Sequence, residues 1–190
     1  MKNTFLFGIP LILLITMFSC GEDETPPPVE PNPLTLDIKI NDTMRDASVS
    51  SAVLSSFSSQ KVPGKRLTNV FKANNLDLTI TIENWDWQKP MNKSLLAKTY
   101  GKYEDRSDAD QCKKIDNVWY CDRFNASYKI GNDLYYVEQD DPNASFTIAS
   151  FDTSSLHYSG AFEMKMYTIF RTDSLFFEGT FENIPYSVDQ

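Results

Sequence analysis

The chain has 190 residues, with 26 acidic and 18 basic side chains, a single histidine and a formal net charge of −8. That sign excludes nucleic acid as a partner, because a phosphate backbone demands a basic face, and it disfavours a basic contact with anionic lipid. Thirteen Phe and nine Tyr against only seven Gly, set among β-branched residues and short polar breaks, favour an all-β domain.

In chain order, Lys2 precedes an apolar run from Phe5 to Phe18. At about 14 residues the run has the size of a secretory leader's core and is short for a membrane span. It ends at Ser19-Cys20-Gly21, followed by Glu22, Asp23 and Glu24, with Met17 and Phe18 just ahead of the junction. This pattern resembles a bacterial lipoprotein signal, and its acidic stretch after the cysteine resembles surface-exported lipoproteins of the Bacteroidota. The resemblance implies that residues 1–19 are removed, that Cys20 carries lipid, and that the protein is anchored to the outer membrane. It implies exposure at the cell surface, with a periplasm-facing placement as the alternative. An ordinary leader with Cys20 inside it is the competing reading. Acyl chains contribute roughly 0.8 kcal/mol per buried methylene, so two or three anchor firmly.

Residues 20–33 then form a linker that turns from acidic to proline-rich, Thr25-Pro26-Pro27-Pro28-Val29-Glu30-Pro31-Asn32-Pro33. Such a segment builds no core and acts as a semi-rigid spacer, reaching some 30–40 Å at about 3.1 Å per residue. Residues 34–190 are expected to form one domain, large enough to bury roughly two-thirds of its unfolded surface without a metal.

Within it, Leu34 to Ile40 alternates cleanly, and Asn41-Asp42 reads as a turn. Residues 47–57 are serine-rich and of ambiguous period, and residues 60–66, with Pro63-Gly64, read as a loop. Leu76 to Ile82 alternates again, and Leu95 to Tyr103 holds a short strand. Residues 104–111 read as an acidic loop. Strands are expected over 115–120, 124–130, 134–137, 145–151, 157–168 and 174–186. Roughly nine or ten short strands without a long helical period point to an antiparallel β-sandwich or barrel-like domain.

Once Cys20 is assigned to lipid, Cys112 and Cys121 remain as an even pair in an exported chain. A two-residue turn at Asp116-Asn117 sets Ile115 against Val118, Lys114 against Trp119, Lys113 against Tyr120 and Cys112 against Cys121. Alternation makes the cysteines a non-hydrogen-bonded pair, where side chains come closest, so a disulfide is expected. A redox or metal pair is the alternative, but the spacing is not that of a Cys-x-x-Cys motif.

Near the C-terminus the chain carries Ala144-Ser145-Phe146-Thr147-Ile148, Phe151-Asp152-Thr153-Ser154, Tyr158-Ser159-Gly160-Ala161-Phe162-Glu163-Met164 and Glu178-Gly179-Thr180-Phe181-Glu182-Asn183-Ile184-Pro185. With Ile38-Lys39-Ile40-Asn41-Asp42, these resemble a family of small Bacteroidota lipoproteins of unknown function. The resemblance covers about half the domain, implies a β-sandwich-like fold and brings no active site. Independently of it, Gly160 and Gly179 stand inside strands, each two residues before an aromatic. A bulge or a bulky cross-strand neighbour would explain both.

Catalytic signatures are few. The sequence has no His-Glu-x-x-His, Gly-x-Ser-x-Gly, phosphate loop or dinucleotide glycine pattern. His157 would have to serve any Ser-His-Asp site, and a lone histidine at a strand start is more often a surface or packing residue. Asp105, Asp108 and Asp110, or Asp140, Asp141 and Asn143, offer oxygen ligands for calcium without EF-hand spacing, and solvated loop charge is the plainer reading. Trp85 and Trp87, at i and i+2, share a strand face and could stack on sugar rings, with Trp119 and Tyr120 adding to the platform. Packing into the core is the plainer reading of these too. The expectation is a non-enzymatic binding or structural domain without a cofactor. The alternatives are a glycan-binding accessory lipoprotein and a secreted hydrolase using acidic residues.

Overall fold

The computed structural model describes residues 33–59, 62–73, 76–85, 97–102, 104, 106–107, 109, 111–138 and 141–189. Cys20, Trp87, Asp105, Asp108, Asp110 and Asp140 lie outside the described residues. Among the described residues the protein is built from strands alone, fourteen of them. In chain order they are β1 (Thr35–Ile40), β2 (Thr43–Arg45), β3 (Ser48–Ser59), β4 (Val62–Ala73), β5 (Leu76–Trp85), β6 (Thr99–Gly101) and β7 (Cys112–Ile115). There follow β8 (Val118–Cys121), β9 (Arg123–Ile130), β10 (Asp133–Val137), β11 (Ser145–Asp152), β12 (His157–Thr168), β13 (Ser174–Pro185) and β14 (Ser187–Val188).

Turn chemistry joins neighbouring strands. Asn41 and Asp42 both adopt positive φ, 48° and 59°, between Ile40 and its partner Thr43. Short polar side chains tolerate that region, and two such residues make the hairpin turn whose twist matches its strands. Asp116 and Asn117 repeat the device at 49° and 66° between β7 and β8.

The large sheet runs β14-β3-β4-β5-β9-β10-β12-β13-β1-β2. β12 is long enough to hold two neighbours on one edge, β11 beside its first half and β10 beside Met166–Thr168, and β11 in turn pairs with β6. β14 continues one residue beyond β13 and pairs in parallel with β3, so the ladder that leaves β12 through β10 returns to its starting hairpin. The two faces meet in an apolar core, as a sandwich-like fold requires. Phe71 of β4 lies 6.2 Å from Phe162 of β12, and Tyr128 of β9 lies 5.0 Å from Phe177 of β13. Across the same interior the Tyr158 hydroxyl donates to the buried Asn69 side chain. The alternation of β5 puts Leu76, Leu78, Ile80 and Ile82 inward, as its sequence implies.

Residues 62–66 differ from expectation: they open β4 and are not a loop. Pro63 pairs with Ser58 on the β3 side, while the pairing of β4 with β5 starts only at Gly64↔Trp85. A proline beyond the last β5 partner removes no ladder bond on that side, and the start of a strand is where proline is tolerated. The Phe57 ring covers Gly64, and a Cβ there would come within 2.5 Å of it. The interior glycines follow the same logic. Gly160 pairs with Phe181 and Gly179 with Phe162, so each glycine on one strand seats a ring from the other. Gly160 also stands at the register shift of β12 against β13.

Candidate functional site

The β7–β8 hairpin has the register its sequence implies, Cys112↔Cys121 through Ile115↔Val118. The cysteines are joined by a disulfide across a Cα–Cα distance of 4.1 Å, as suits a close non-hydrogen-bonded pair. Adjacent residues of a strand face opposite ways. Tyr120 therefore turns inward and meets Trp85 edge-on at 5.1 Å, while Trp119 is 37% exposed on the other side. Trp85 is half-buried and also meets Phe57 edge-on at 4.6 Å. The structure thus brings Trp85 and Tyr120 together in packing and sets Trp119 apart from them. His157 is partly buried, with Nδ1 2.6 Å from the Ser155 carbonyl. Asn143 donates its amide to Asp141 in a local turn. Among the described residues no group of three or more His, Cys, Asp or Glu is arranged to hold a metal ion.

Asp122, one residue past the disulfide, is 2% exposed. Its carboxylate accepts from Asn84 Nδ2 at 2.6 Å, the Trp85 amide at 2.5 Å and Lys98 Nζ at 2.6 Å. Burial pushes its pKa up, against the pull of Lys98, the Trp85 amide and Asn84. One carboxylate thus joins the end of β5 and Lys98, just ahead of β6, to the start of β9. Nothing in the sequence marks Asp122 out from the other acidic residues.

A second feature lies on the outer face of β4, β5 and β9. Register places Arg66 opposite Glu83 and Glu83 opposite Arg123, one row across three strands. The next row is Thr68, Thr81 and Asn125. Glu83 accepts from Arg66 Nη2 at 2.6 Å and Arg123 Nε at 3.3 Å, and Arg123 Nη1 donates to Glu104 at 2.8 Å. Arg106 follows, 3.7 Å from Glu104, with its guanidinium 5.9 Å from the centre of the Trp119 ring. Lys102, just past β6, reaches β9 and donates to Asn125 Oδ1 at 3.1 Å. Burial, and then the nearby Arg123, lower its pKa from that of a free lysine. The rows line a cleft of about 380 Å³. Among the described residues of this row and its margin, Arg66, Lys102, Arg106 and Arg123 stand with Glu83 and Glu104, four basic side chains to two acidic ones.

The third feature is the β12–β13 tip. Ile169 is 74% and Phe170 85% exposed. The turn beneath them is tied by Thr168 N to Asp173 O at 3.1 Å, Arg171 N to Thr168 O at 2.8 Å, and Thr172 N to Thr168 Oγ1 at 3.1 Å. Leu134 and Tyr136 of neighbouring β10 add exposed apolar surface, with Tyr136 paired to Tyr167.

Among the described residues, fold and surface together define an all-β, sandwich-like domain with an outer cleft rich in basic side chains and an apolar hairpin tip. No protein-family model, curated protein or solved structure matches this chain. The likeness to small Bacteroidota lipoproteins therefore rests on the sequence pattern alone.

Proposed function

We propose that the protein is a lipid-anchored, non-enzymatic binding domain of the outer membrane, held at Cys20 and displayed at the cell surface on the proline-rich spacer. The observation that carries the binding role is the β12–β13 tip. Single exposed apolar residues are ordinary, but two large adjacent ones on a braced turn cost solubility and need a use. The tip also stands at the far end of β13 from Pro33, whose carbonyl accepts from Asn183.

Photocrosslinking on intact cells tests this reading. A benzophenone amino acid at position 170 should give a discrete adduct, while the same group at exposed position 182, at the opposite end of β13, should not. Identical patterns, or no adduct at 170, would contradict it.

A second reading, a glycan-binding accessory lipoprotein, is favoured by Trp119, whose exposed ring has Arg106 and Lys114 each 5.9 Å from its centre. An exposed indole offers an apolar face with a polar edge, the form that stacks on sugar rings.

A further inference from the structure

We infer that the outer face of β4, β5 and β9 binds an acidic saccharide, with its carboxylate on Lys102 and Arg123 and its hydroxyls on Thr68, Thr81 and Asn125. The inference rests on the glycan reading above and deepens it, by naming the ligand's charge and the surface that takes it.

Glu83 is already shared between Arg66 and Arg123, and Glu104 between Arg123 and Arg106. Lys102 is left with a neutral amide oxygen as its partner, although it is partly buried. A half-buried ammonium whose hydrogen-bond partner is a neutral amide favours an added anion, and a charge-assisted bond is stronger than a neutral one.

The neutral row argues for a sugar as the carrier of that anion. Thr68, Thr81 and Asn125 lie side by side in register, presenting short donors and acceptors at strand spacing on an open face. Ring hydroxyls match such a row. A peptide would look instead for a free strand edge or an apolar groove. β4, β5 and β9 each have a neighbour on both sides, so they offer no edge. The chain of contacts Arg123–Glu104–Arg106 leads from the cleft to the exposed indole of Trp119, where a further ring could stack.

Calorimetry on the full-length protein in detergent tests this, using trigalacturonate as probe, maltotriose as the neutral saccharide and sodium sulfate as the bare anion. Trigalacturonate should bind saturably and more weakly as salt rises. Lys102→Gln and Thr81→Val should each weaken it about tenfold, the effect of one good hydrogen bond, and Lys102→Arg should restore it. Sulfate matching trigalacturonate, or a Kd indifferent to Lys102→Gln and Thr81→Val, would overturn the proposal. Maltotriose binding that is lost in Trp119→Ala but indifferent to Lys102→Gln would overturn the acidic cleft and leave the glycan reading standing. No binding by either saccharide would remove both.

Discussion

Two glycines and two phenylalanines set the spacing of the β12–β13 hairpin. A Cβ on Gly179 would meet Phe162 Cε1 at 2.6 Å and the Asp37 carbonyl at 3.0 Å; one on Gly160 would meet the Thr147 carbonyl oxygen as well as Phe181 Cζ at 2.7 Å. A ring can swing aside, whereas a carbonyl inside a ladder cannot. Gly179→Ala should therefore cost about 1–3 kcal/mol, in the range of an overpacked core, and Gly160→Ala more. Urea denaturation reads both. Phe162→Leu should relieve Gly179→Ala and leave Gly160→Ala unrelieved; equal costs in both backgrounds would contradict the ring-seating account. Tyr135 offers a pH test at the same scale. Its hydroxyl donates to Asp173 at 2.7 Å, and that bond, followed by burial, pushes the phenol up to about 12. The native state then keeps a proton that the unfolded chain has lost. Stability from this group is fully present below about pH 10 and is lost as pH rises to about 12. Tyr135→Phe should flatten that decline relative to the parent protein, and an unchanged slope would count against it.

The hairpins and their clasps show what each element adds. Asp122 joins the end of β5, the chain just before β6 and the start of β9, with Lys98 as its charged partner. Removing one side of a buried pair strands the other, so Asp122→Ala should cost about 3–5 kcal/mol. Asp122→Asn combined with Lys98→Met should recover most of that loss; a double variant no more stable than Asp122→Ala would refute the clasp. The β7–β8 hairpin was the most legible element in the sequence. Two cysteines and an Asp-Asn pair at the right offsets leave one register, because a slip by one residue would put the cysteines on opposite faces. Alternation made β1 and β5 legible in the same way. β4 was not, because Pro63-Gly64 carries the composition of a turn while its setting, beyond the last β5 partner and under the Phe57 ring, belongs to tertiary structure. The row Arg66–Glu83–Arg123 was equally hidden. Its members lie 17 and 40 residues apart and meet only through the pairing of three strands. The tryptophans could be named from sequence, but not that Trp85 packs under Tyr120 while Trp119 faces out.

At the scale of the molecule, long strands fill the middle of the sheet, while β2 and β6, at its open ends, have three residues each. Short edges offer little backbone for pairing with another copy, and a net charge of −8 repels one. The return of the ladder through β14 covers β3 at Val53 and Leu54, reinforced by Asp189 N donating to the Leu54 carbonyl at 2.9 Å. The cleft and the apolar tip are surfaces suited to contact, and the proposed anchor at Cys20 sets the membrane they would serve. Intact mass spectrometry of the mature protein, extracted from membranes, tests that anchor most directly. The account predicts a chain that begins at Cys20 and carries acyl mass on that residue. A free thiol at Cys20, or residues 1–19 still attached, would contradict it.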